Sequence, residues 1–221
     1  MLVDLMTSNY STEFAVMTFI TFTLAYLIAL TMHEFSHAYM AVRQGDDTPR
    51  LQGRLTVNPF AHMDTMGLLC FLFAGFGWAK PVQINPLKFK RYRSGIAKAS
   101  LAGVCMNLIL CFVFSALYCL SLKWVGLSTI SNYFYLFSYY GMEINAWLIF
   151  FNILPIYPLD GFNWLSTKLK PGNKYVDFNY KYGTLILLLL VATSLVTYYV
   201  SFCADWLTYP FIRLFSWIFR V

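Results

Sequence analysis

Between positions 14 and 32 the chain carries no charged residue, 19 positions in a row, and the run ends in His33-Glu34-Phe35-Ser36-His37. About 20 apolar residues in helix cross the hydrocarbon core of a bilayer, so this run can span. Lipid offers backbone groups no hydrogen-bond partner, which leaves only helices or closed barrels as spanning structures. Two more uncharged runs, 99–122 and 182–204, have the same reach, and 133–155 is interrupted only by Glu143. The chain is 59% hydrophobic and 12% charged, against about 45–50% and about 25% in ordinary globular proteins. The expectation is an all-α polytopic membrane protein with about four full spans, forming one domain over 1–221, with a core at 11–165 and C-terminal helices at 181–221.

Shorter segments fill in the plan. The uncharged stretch 65–79 holds Gly67, Gly75 and Gly77 and is only 15 residues long. It reads as a dip into the membrane that returns to the side it came from. Positions 54–58 alternate polar and apolar, and Val82-Gln83-Ile84 lies between Pro81 and Pro86. These two are expected to pair as a small β-hairpin at the membrane surface. The stretch 206–220, with six aromatic residues and Arg213, is expected to be an interfacial or short last helix.

The net charge of +6 does not point to nucleic acid, because the basic residues sit in loops between apolar runs. Thirteen of the 16 Lys and Arg fall in three loops, after the first span, before the second and after the third; Lys123 alone marks the loop between the second and third. All three basic loops share one face only if 65–79 does not cross. By the positive-inside rule that face is cytoplasmic. Five cysteines lie in apolar stretches without any CxxC, so they read as small packing residues. No Lys or Arg precedes Arg43, and a cleavable signal peptide is not expected.

The charged cluster in the first span carries the chemistry. Positions i and i+4 share a helix face, so His33 and His37 can offer two imidazoles to one point. The HExxH spacing is that of zinc proteases, with the glutamate as general base. Uncompensated, three such side chains in a span would each cost desolvation, and a metal ion relieves that cost. His37 lies six residues before Arg43, about 9 Å along a helix. Asp160 lies at the same face, at the end of the third span. It becomes the third ligand, although Pro-Leu-Asp-Gly is also a good turn. His62 and Asp64 are rival third ligands. Glu34 would act on the attacking water, and Asn152 could donate to a developing oxyanion or serve as a helix–helix hydrogen bond. Asn107 and Asn145 read as helix–helix hydrogen bonds. Glu143 is given no role. Leu55, Val57, Val82 and Ile84 are candidates for pairing with an unwound substrate.

With HEFSH in the first span and PLDG after the third, the chain resembles the site-2 protease family of intramembrane zinc metalloproteases, and in particular its small bacterial members. HEFSHAYMAVRQGD, LQGRLTVNPFAHMD, GWAKPVQINP, AGVCMN and FNILPIYPLDG carry the resemblance from His33 to Gly161. It implies one Zn2+ held by His33, His37 and Asp160, with Glu34 catalytic and Asn152 near the active site. It implies a multi-pass protein of a bacterial cytoplasmic membrane that cuts spanning protein substrates, often releasing regulators to the cytosol. The chain departs from the family pattern at Gly103-Val104, where a Gly-Pro is common, and at Asp64-Thr65-Met66-Gly67, where Asp-Pro-x-Gly is common. No segment is left over for a PDZ or CBS domain, so regulation through such domains is not expected. Two rival readings stand beside this one: a metal-ion transporter and a catalytically silent membrane adaptor.

Overall fold

Helix α1 (Thr12–Gln44) runs unbroken for 33 residues in the computed structural model, which describes residues 11–74 and 77–221. Ser11 caps its start by accepting from the Phe14 N–H, and Gly45, at φ 109°, ends it in the left-handed conformation that suits glycine. A short turn of helix, α2 (Thr48–Leu51), follows. Then come α3 (Thr65–Ala74), α4 (Tyr92–Ser121), α5 (Thr129–Asn152), α6 (Asp160–Ser166), α7 (Lys174–Ala192) and α8 (Leu195–Phe219). Asp4 and Gly75 lie outside the described residues.

Helices α1 and α4 are long and apolar enough to cross a membrane. Of the about four full spans expected, two are single helices of this kind, and a third is added if the bent pair α7–α8 counts as one. α5 has the length, at 24 residues, but falls short in apolarity. Its polar side chains Ser138 and Asn145 are buried against its neighbours rather than turned to lipid. The run 182–204 is not one helix: α7 and α8 meet at an angle of 76°. The break falls at Thr193-Ser194, where Ser194 takes φ 58° and the Thr193 hydroxyl bonds the Leu190 carbonyl. The C-terminal stretch is correspondingly part of a 25-residue helix rather than a short one.

The expected β-hairpin does not form, and no strand occurs among the described residues. Arg54 turns back on its own loop: its N–H bonds the Pro49 carbonyl and its guanidinium bonds the Ala61 carbonyl. Leu55 and Thr56 therefore form a bend, and neither Leu55 nor Val57 lies in a strand. Val82-Gln83-Ile84 lies in neither helix nor strand, and the stretch just before it pairs elsewhere. An isolated antiparallel bridge joins Met63 to Ala79, and the Lys80 N–H donates to the His62 carbonyl at 2.8 Å. The two ends of the α3 segment thus meet. Its glycines permit the fold-back: a Cβ on Gly67 would strike the Trp78 backbone, and one on Gly77 the Gly67 carbonyl.

α5 packs along both α1 and α4, and α8 packs on α4 and α5. Ala25 and Ala29 of α1 are fully buried against Ile144 and Leu148 of α5. Small residues of this kind bring helix backbones close where no hydrophobic force acts between them. Cys111 and Cys119 are buried packing residues, and all five cysteines are free.

Candidate metal centre

His33 and His37 project from one face of α1 toward α4, with ring centroids 4.6 Å apart. The chain after α5 delivers the third group. Pro155 and Pro158 prevent α5 from continuing, and the backbone turns through 153–159 to restart as α6, with Asp160 its first residue. Gly161 allows this sharp return, because a Cβ there would strike the Ile153 carbonyl. The unwound turn is tied to α7. The Tyr157 N–H donates to Asn179 at 3.4 Å, the Tyr175 hydroxyl donates to the Pro155 carbonyl, and Phe162 packs edge-on against Tyr157 and Tyr180.

Three donor atoms converge. His33 Nε2 and His37 Nε2 are 3.0 Å apart, and they lie 3.3 and 3.2 Å from Asp160 Oδ2. Ligands of a tetrahedral zinc, each at about 2.0–2.1 Å from the ion, are about 3.3 Å from one another. The tautomers fit as well. The Ala99 carbonyl can only accept, so His37 Nδ1 donates to it at 2.7 Å and Nε2 keeps its lone pair. For His33 the assignment runs through a chain of amides. The Gly141 carbonyl accepts from Asn145 Nδ2, and Asn145 Oδ1 accepts from Asn107 Nδ2. Asn107 Oδ1 then faces His33 Nδ1 at 2.6 Å. His33 Nδ1 must therefore carry the proton, and its Nε2 is also a bare lone pair. Asp160 Oδ2 is buried with no hydrogen-bond donor. Two imidazole lone pairs and an orphaned carboxylate oxygen aimed at one point suit a divalent cation, and the N2O donor set suits zinc. Among the described residues this is the one cluster of three such donors.

Glu34 reaches out of α1 beside these ligands, and its Oε2 accepts the Val82 N–H at 3.0 Å. Val82 is itself held. Asp46, fully buried just past α1, accepts from the Thr48 N–H at 3.0 Å and the Asn85 N–H at 2.6 Å, with Lys88 Nζ 3.9 Å away. Burial raises the Asp46 pKa, but hydrogen bonds from Thr48 and Asn85 and the Lys88 charge outweigh it and hold the carboxyl below its usual range. The Lys90 N–H adds a bond to the Gln44 carbonyl. The segment that follows Pro81 is thus laced along the end of α1, and its first residue, Val82, fixes the glutamate.

The other expected residues lie outside this trio of donors. Asn152 ends α5, and its Nδ2 is engaged by the Leu148 carbonyl at 3.0 Å. His62 is buried, bonding Thr56 through Nε2, and Asp64 accepts the Gly67 N–H. Neither His62, Asp64 nor Glu143 belongs to the cluster. Asn107 and Asn145 do form a helix–helix hydrogen bond, but Asn107 also orients a ligand. Sequence reasoning missed that, although an asparagine inside an apolar run was the signal. For the Ala99 carbonyl and the Val82 N–H no signal exists, since every residue has a backbone.

Similarity to known proteins points the same way. The chain is 36% identical over 197 residues to "Putative zinc metalloprotease YwhC" of Bacillus subtilis, covering 88% of this chain and 90% of that one. It is 30% identical over 190 residues to Rip2 of Mycolicibacterium smegmatis, which is described in the same words, covering 79% and 68%. Rip2 of Mycobacterium tuberculosis H37Rv is 28% identical over 185 residues, covering 78% and 66%. No family model and no solved structure matches. With its HExxH helix and Leu-Asp-Gly turn brought to one point and a full-length relative of this similarity, the chain belongs to the site-2 protease family of zinc metalloproteases.

Proposed function

We propose that the protein is an intramembrane zinc metalloprotease that hydrolyses peptide bonds in or near the spanning segments of other membrane proteins. The observation that carries this reading is the convergence of His33, His37 and Asp160 within 3.0–3.3 Å, with Glu34 alongside. His33 and His37 would bind zinc through Nε2 and Asp160 through Oδ2. Bound there, zinc supplies an electrophile that lowers the pKa of water to about 7. Glu34 takes the proton of the attacking water and returns it to the leaving nitrogen. The Val82 N–H holds the Glu34 carboxylate toward that task. Asn152 would release Leu148 to donate to the developing oxyanion. The substrate, once unwound, would pair with the Val82–Ile84 stretch. The backbone N–H and carbonyl of Gln83 have no bonding partner among the described residues, which leaves them open to such pairing.

The same reading places four crossings in the membrane, with α5 and the α7–α8 pair completing the count. The α3 segment dips from the basic face, which is cytoplasmic, and the centre lies near that face. Neither rival is favoured. The relatives are named as metalloproteases rather than transporters, and an adaptor has no use for a glutamate held beside three metal donors.

Glu34→Gln tests the reading. The variant should retain one zinc per chain by metal analysis and lose cleavage of a synthetic spanning peptide by at least 100-fold. Cleavage that survives the substitution, or that is insensitive to a strong chelator, would reject it.

A further inference from the structure

A cavity of about 510 Å³ lies beside the metal centre, walled by the segment after Pro81, the start of α4, α6 and the start of α7. Three wall residues lead to the chemistry: Val82 holds Glu34, Ala99 holds His37, and Asn163 follows Asp160 by three residues. Its volume is in the general range of ligand-binding pockets. Arg93, on α4, and Lys170, just after α6, belong to its lining, and no carboxylate lines it. Both cations are exposed, and neither has an ion-pair partner among the described residues.

We propose that this cavity receives the extended flank of the substrate on the basic side of the membrane, and that Arg93 and Lys170 select for acidic residues in it. The proposal deepens the protease reading and rests on it. The selection follows from ordinary membrane topology. Most spanning segments carry Lys or Arg on their cytoplasmic flank, and two unpaired cations in the cavity repel such a flank. A span flanked by Asp or Glu is instead drawn in. Rejection by like charge is an economical way to spare the bulk of membrane proteins.

The test uses purified, zinc-loaded full chain in vesicles of phosphatidylcholine alone. Two synthetic spanning peptides differ only in the flank, three aspartates in one and three lysines in the other. The acidic flank should raise kcat/KM about tenfold, mainly through KM, as two solvent-exposed charge contacts allow. The preference should shrink in high salt. The charge-reversed double variant, Arg93→Glu with Lys170→Glu, should invert the order of the two peptides. Both peptides are compared on one enzyme, so a partial loss of folded protein cancels.

Equal kcat/KM for the two flanks, or an unchanged order in the double variant, overturns the proposal. A preference that appears only when anionic lipid is added assigns the cations to headgroups and also overturns it. If neither peptide is cut by an enzyme that holds zinc, the protease reading falls and this one with it; equal cutting of both sinks this one alone.

Discussion

At the scale of single residues, the centre depends on side chains that never touch a metal. Gly103 of α4 lies against both imidazoles: a Cβ there would sit 2.5 Å from His33 Cε1 and 2.6 Å from His37 Nε2. The rings cannot swing clear, because Asn107 and Ala99 hold their far nitrogens. Gly103→Ala should therefore weaken zinc binding by about 10–100-fold, the usual cost of disturbing ligand supports, as read by competition with a chelator. Unchanged affinity would mean the rings have slack that the hydrogen bonds do not suggest. Asp46 acts at one remove. In Asp46→Asn an amide N–H2 would face the Thr48 or Asn85 N–H, leaving a buried donor unpaired at about 1–3 kcal/mol. Since the folded carboxyl titrates below its unfolded value of about 3.9, its contribution is full above that pH and is lost as pH falls from there through the lower folded value. The gap in thermal midpoint between wild type and Asp46→Asn should be full at pH 6 and should narrow below about pH 4. A gap independent of pH would mean that the charge of Asp46 contributes nothing.

At the scale of elements, the unwound turn between α5 and α6 sets the position of the third ligand. Gly161→Ala would push α6 off the Ile153 carbonyl, and with it Asp160. Zinc content should fall well below one per chain while α1 keeps its two histidines in place. Full occupancy would show that the turn can relax. The sequence made this part legible because its devices are local: an HExxH spacing on an apolar run, two prolines, and an aspartate before a glycine. The misses are elements whose fate was decided by contacts that residue type does not announce. Residues 54–58 alternate as a strand would, but Arg54 and Thr56 bond their own loop through Ala61 and His62. The partner of Ala79 proved to be Met63, and nothing in either residue's type says so. The kink at Thr193-Ser194 lacks proline or glycine, so the uncharged run through it looked continuous.

At the scale of the whole molecule, the basic loops converge without any membrane being invoked. The Lys90 N–H bonds the end of α1 at Gln44, the His37 ring bonds Ala99 near the start of α4, and Asp160 joins both histidines from beyond α5. The ends of α1, α4 and α5 that meet at the centre are therefore the ends that carry the basic loops, whereas Lys123 sits at the far end of α4. The bridge from Met63 to Ala79 closes the α3 segment on itself, and its ten helical residues span about 15 Å, half the hydrocarbon thickness. On the proposed topology Lys80 shares a face with Lys170, opposite Lys123. Single cysteines at these three positions, in a background cleared of native cysteines, make this measurable with a membrane-impermeant thiol reagent on intact cells. Lys123→Cys should label directly, and Lys80→Cys and Lys170→Cys only after the membrane is opened. Labelling of Lys80→Cys together with Lys123→Cys would mean that α3 crosses. Reversal of all three would turn the centre to the outside, where a cut could no longer release a substrate's domain into the cytosol.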